Sequence, residues 1–180
     1  MIDNKKTAFT LIETMIAVAI FALVILTASR IFQSVLDNQK INTVDQAVQE
    51  NVKYFLESLT REARTAVRNT SGTTQCNVTD GHVFAVNATS SELYFSDPTG
   101  ACLIYFTSLD NDVNRLAVQS DANSYYLTSR LVDINSLKFV IDDVATTTPP
   151  FLTVNVQVKS EDNQNIPAYN IQTSISSLSY

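Results

Sequence analysis

This chain of 180 residues predicts an α+β fold, with one long N-terminal helix packed on an antiparallel β-sheet head. Three observations carry that expectation. From Thr14 to Ser29 the chain has no charge, no Gly and no Pro. From Arg30 to Arg68 Gly and Pro are again absent, and apolar residues recur mostly three and four apart, the period of an amphipathic helix. Beyond Asn69 the period changes to two, and β-branched and aromatic residues take over.

The helix comes first. Its apolar stripe runs through Ile31, Val35, Ile41, Val44, Val48, Val52, Phe55 or Leu56, Leu59, Ala63 and Ala66 or Val67. Continued back through Phe9–Ser29, this predicts a single helix of about 60 residues, near 90 Å at about 1.5 Å per residue. Residues 9–29 are apolar all round and suit lipid or a helical bundle. Residues 30–68 have one apolar stripe and suit packing on a sheet. Asn69-Thr70-Ser71-Gly72 supplies the stop. Residues 69–180 then form a β-rich head, with strands expected at His82–Asn87, Glu92–Ser96, Cys102–Ser108, Arg115–Gln119, Tyr125–Thr128, Ile134–Asp142, Leu152–Lys159 and Asn170–Ser176. They are bounded by Asp97-Pro98-Thr99-Gly100, Asp110-Asn111-Asp112, Thr148-Pro149-Pro150 and Asp162-Asn163-Gln164-Asn165. Val154-Asn155-Val156-Gln157-Val158 alternates as a strand with one buried face.

The start of the chain carries the strongest functional signal. Lys5-Lys6 precedes Ala8-Phe9-Thr10-Leu11-Ile12-Glu13, and Glu13 stands alone at the head of the apolar run. A carboxylate costs about 2.5–3.5 kcal/mol at the centre of a membrane span and less near its end, so an acid kept there points to a function. The bland readings are an ordinary secretory signal with its exit near Thr27-Ala28-Ser29, a plain single-pass anchor, and a Glu that reaches the headgroups.

Phe9-Thr10-Leu11-Ile12-Glu13, after a short basic leader and before the apolar run, resembles the N-terminus of the type IV prepilin family. Ala8 stands where that family usually has Gly. Many members also carry a Pro in or just after the apolar run, and its absence here favours an unbroken helix. The resemblance implies a leader over residues 1–8, cleavage between Ala8 and Phe9 by prepilin peptidase, and N-methylation of Phe9. Glu13 would then pair with the Phe9 amine of a neighbouring subunit, a filament-assembly role that rewards correct register. The implied partners are other pilin or pseudopilin subunits, the peptidase and an inner-membrane assembly platform. Lys5 and Lys6 hold the leader in the cytoplasm, so a single pass places the head outside.

A looser likeness covers the head. Leu127-Thr128-Ser129-Arg130, Ile134-Asn135-Ser136-Leu137-Lys138-Phe139, Pro149-Pro150 and Ile171-Gln172-Thr173-Ser174-Ile175-Ser176-Ser177 resemble W-type minor pilins and J-type pseudopilins. The function implied is a minor pilin or pseudopilin that initiates a type IV-like filament or caps its tip. The alternatives are a major pilin, or a membrane-anchored exported β-domain outside any filament.

Composition narrows the rest. With 45% hydrophobic and 17% charged residues the chain is expected to fold. From Asn69 onward four basic residues face eleven acidic ones, so the head does not suit direct capture of nucleic acid. Cys76 and Cys102, both beyond the apolar run, are expected to form a disulfide in an exported domain; two free thiols are the other reading. A metal site would need more ligands than these and His82, the single histidine. Leu109–Asn114 spaces oxygen ligands in a way that suggests calcium. It lacks the Gly and closing Glu of an EF-hand loop, which makes a hairpin turn the expectation. No nucleophile–base set and no glycine-rich phosphate loop is present, so neither catalysis nor a cofactor is expected.

Overall fold

A computed structural model describes residues 10–143, 149–161 and 168–178. The Ala8–Phe9 junction and the turn at 162–165 lie outside the described residues. One helix, α1 (Leu11–Thr65), precedes eight strands: β1 (Ala85–Val86), β2 (Leu93–Ser96), β3 (Cys102–Asp110), β4 (Val113–Ser120), β5 (Asn123–Tyr126), β6 (Val132–Asp142), β7 (Phe151–Ser160) and β8 (Tyr169–Ser176). The fold is α+β, a long N-terminal helix with a head of antiparallel sheets. The head has two sheets rather than one, a five-stranded meander β1-β2-β3-β4-β5 and a three-stranded meander β6-β7-β8. The chain forms two compact units, and the second spans Thr43–Tyr180.

In that second unit α1 buries Val48, Val52, Phe55, Leu59 and Ala63. The 3.6 period therefore selects Phe55 over Leu56 as the fully buried position, and Ala66 is buried where Val67 is exposed. Ile31 and Val35 stay exposed: they fall in the N-terminal unit, and the buried stripe begins at Val48. Burying each large apolar side chain is worth about 1.5–3 kcal/mol. Aromatic contacts join helix to sheet. Phe55 meets Tyr105 edge-on at 6.1 Å, Tyr105 stacks on Phe95 at 5.9 Å, and Phe95 meets Phe84 edge-on at 5.8 Å. The Tyr105 hydroxyl donates to Glu62 Oε2 at 2.5 Å. Asn51 completes the join: its Oδ1 accepts the Ser129 N–H at 2.7 Å while its Nδ2 donates to Ala47 O.

Three elements depart from expectation: β5, expected over Tyr125–Thr128, runs over Asn123–Tyr126, and two others depart for visible reasons. The helix ends at Thr65, not Arg68, because Val67 donates its N–H to Ser96 O at the edge of the sheet and Arg68 donates to Gly81 O. The strand expected over His82–Asn87 shrinks to Ala85–Val86, because the N–H groups of Val83 and Phe84 go to the buried Asp143 carboxylate at 2.6 and 3.2 Å. The turn Asn111-Asp112 has φ of 50° and 66° at its two residues, a tight hairpin of the primed type. Asp110 beside it accepts from Arg115 at 2.6 Å and from Arg130 at 3.0 Å, so its oxygens hold two guanidinium groups rather than standing free for a cation. These bonds, Arg130 first, hold the Asp110 carboxyl below the ordinary carboxylate range.

Candidate functional site

The N-terminal part of α1 is built to be wetted by apolar surroundings. Leu11, Ile12, Met15, Ile16, Val18, Ile20, Phe21 and Leu23 to Leu26 are exposed on every side of the helix. Among the described residues α1 is the one helix long and apolar enough to cross a membrane. The hydroxyls in this stretch turn inward. Thr14 Oγ1 donates to Leu11 O at 2.8 Å, Thr27 Oγ1 to Val24 O at 2.9 Å, and Ser29 Oγ to Ile25 O at 2.8 Å. Each of these hydroxyls is satisfied inside its own helix, as an apolar medium requires.

Thr10 opens the helix. The Glu13 N–H approaches Thr10 O at 3.1 Å and Thr10 Oγ1 at 3.4 Å. Thr10-Leu11-Ile12-Glu13 is thus a Thr-x-x-Glu pattern at a helix start, with Thr10 as N-cap and Glu13 as third helical residue. A carboxylate in the first turn also opposes the positive end of the helix dipole. Sequence reasoning read Glu13 as an acid alone at the head of the apolar run, paired with a neighbour's amine, and not as part of a helix cap. The four-residue capping pattern was the signal that places it in the first turn. Glu13 is exposed, and Ala8 and Phe9 lie outside the described residues.

Cys76 and Cys102 form a disulfide with Cα atoms 5.4 Å apart. Cys76 and Asn77 occupy left-handed φ values of 51° and 56° in a turn closed by reciprocal bonds between Gln75 and Val78 at 3.0 and 2.8 Å. The disulfide ties this turn, which follows the helix, to the first residue of β3. Asn69 orders the segment before it, donating through Nδ2 to Thr73 O and Val78 O at 2.7 and 2.8 Å. Sequence reasoning missed Asp143 altogether. Beyond its two backbone donors it lies 3.8 Å from Arg68 Nη1 and 3.7 Å from His82 Nδ1. No group of three or more metal-ligating side chains occurs among the described residues.

An all-round apolar helix, opened by an acid in its first turn and followed by a disulfide-tied β head, defines a class: chains that carry a folded head on an anchoring helix. A family model described as the prokaryotic N-terminal methylation motif matches residues 3–29. Over those residues the chain is similar to the type IV prepilins, and the motif supports a type IV prepilin-like protein. No curated protein and no solved structure matches it. The apolar helix and the motif are consistent with a membrane-anchored protein, and the motif suggests assembly with other pilin subunits.

Proposed function

We propose that this chain is a minor pilin or pseudopilin, a structural subunit rather than a catalyst, that enters a type IV-like filament to initiate its assembly or cap its tip. One observation carries the reading: Glu13 stands in the first turn of an exposed apolar helix, inside the matched motif at residues 3–29. The likeness of the head to W-type minor pilins and J-type pseudopilins supports the minor role over the major one. In this reading prepilin peptidase cuts between Ala8 and Phe9, the Phe9 amine is methylated, and the mature chain waits in the inner membrane with its head outside. The assembly platform then docks it, and the Glu13 carboxylate neutralises the Phe9 amine of a neighbour.

Two experiments test it. Mass spectrometry of membrane-extracted protein finds an N-terminal methyl-Phe; a mature chain starting near Arg30 overturns the reading in favour of ordinary secretion. Glu13→Ala keeps the disulfide-tied head and membrane insertion but leaves a buried amine unpaired. Breaking such a pair costs about 3–5 kcal/mol, roughly a thousandfold in docking. Pull-down with partner pilins reads the loss, and wild-type recovery removes the pairing role.

A further inference from the structure

The head has four sheet edges, and the fold treats them differently. On the side of β1 and β6 the sheets are tied together: Phe139 of β6 donates its N–H to Ser90 O at 2.7 Å, and Asp143, just past β6, accepts from Val83 and Phe84, just before β1. The other two edges, β5 and β8, have no second strand partner among the described residues. Natural proteins guard open edges with charge or Pro. Neither Asn123-Ser124-Tyr125-Tyr126 nor Tyr169-Asn170-Ile171-Gln172-Thr173-Ser174-Ile175-Ser176 contains either.

The two open edges are also complementary. Beside β8 lies a crevice of about 710 Å³ whose apolar walls are Val52 and Leu56 of α1 with Ile171 and Leu178. Its rim carries Lys53, Arg61 and Arg64; Lys53 pairs with Glu57 at 3.7 Å and Arg61 with Glu62 at 3.8 Å, so one positive charge remains in excess. β5 is exposed along its whole length. Tyr126 lies under the Arg115 guanidinium at 4.0 Å, whereas Tyr125, 58% exposed, presents its ring outward. Asp121, in the turn that leads into β5, accepts the Cys102 N–H at 3.2 Å through Oδ1 and brings a negative charge to that end.

We propose that the β8 crevice receives β5 of a second copy of this chain, adding it as a ninth strand with Tyr125 against Leu56 and Ile171 and Asp121 towards the basic rim. The contact is heterologous, one edge on a different edge, so a pair lacks two-fold symmetry and keeps one β5 edge and one β8 edge uncovered at its ends. It rests on the filament reading for its setting and adds a head-to-head contact distinct from the one made by Glu13.

The test uses the full chain in detergent, with Ser124→Cys in one preparation and Gln172→Cys in another, joined by a short bis-maleimide. Cross-linked dimers form when the two variants are mixed and not in either alone. Arg61→Glu with Arg64→Glu lowers their yield about tenfold, and Asp121→Lys on the opposite copy restores it. Absence of a mixed dimer, or dimers within a single variant, overturns the proposal. Glu13→Ala separates the two ideas: normal partner recovery with the mixed cross-link retained removes the filament reading and leaves the edge pairing.

Discussion

Removing one hydroxyl from Tyr105 should weaken the head at neutral pH and protect it at alkaline pH. Tyr105 is fully buried between Phe55 and Phe95, and its hydroxyl donates to Glu62 at 2.5 Å. A hydrogen bond to a charged group is worth about 1.5–3 kcal/mol. The Glu62 side chain is 28% exposed and can rehydrate once released, which places Tyr105→Phe near the lower figure, about 1.5 kcal/mol at pH 7. Burial, then the bond to Glu62, pushes the phenol far above its ordinary value of 10.0 in the folded state. A group whose folded pKa is raised contributes stability that is complete below the unfolded pKa and declines as pH rises past it. From pH 10 upward the unfolded chain sheds this proton and the folded chain keeps it, so the wild type loses about 1.4 kcal/mol per pH unit, or about 2 kcal/mol by pH 11.5. The Phe variant lacks the slope. Denaturant titrations of both proteins in detergent from pH 7 to 11.5 should show the 1.5 kcal/mol gap close and marginally invert. Tyr94 and Tyr169, whose pKa values are also raised, by Glu92 and Asp45, occur in both proteins and cancel. A gap that stays constant across the range refutes the reasoning.

Two further outcomes follow from the same structure. Reduction of Cys76–Cys102, 26 residues apart, should lower unfolding stability by about 3.5 kcal/mol on the chain-entropy model; equal denaturation midpoints with and without reductant contradict it. Asp110→Asn should be less stable than wild type at pH 7 and match it in acid: the depressed folded pKa gives stability present above 3.8 and lost as pH falls below that value. A difference that does not narrow as pH falls below 3.8 contradicts the pairing with Arg130 and Arg115.

The helix and the strands were legible because burial imposes a period, and a period survives in sequence. Val48, Val52, Leu59 and Ala63 lie on the expected stripe, and each of the eight strands overlaps the segment that alternation and turn residues placed, though β1 keeps only Ala85–Val86 and β5 begins two residues earlier than expected. What periodicity leaves open is phase at the ends: Phe55 against Leu56, Ala66 against Val67, and a helix that stops three residues early because Val67 finds a partner on β2. Division of the strands into two sheets was invisible, since no local signal encodes it, and the bond from Phe139 to Ser90 that ties the sheets together spans 49 positions. The same holds for Asp143, which serves Val83 and Phe84 some 60 residues away. Of the candidate site, Glu13 and the cysteine pair could be named from sequence, but the capping role of Thr10 was present in four residues and was passed over.

Both sheets are meanders, and this bears on the order in which the head can form. Each strand pairs with its immediate predecessor, so β1 to β5 can assemble as the chain lengthens, without waiting for distant segments. Such near-neighbour pairing lowers the loop-closure entropy of each step and favours rapid folding. The last steps differ. Leu178 donates its N–H to Arg64 O at 3.0 Å, which fastens the end of β8 back to the helix, while Ser177 donates to Pro150 O at 3.0 Å just before β7. The head can therefore be built vectorially, strand after strand, but the crevice beside β8 exists only after the final strand has docked.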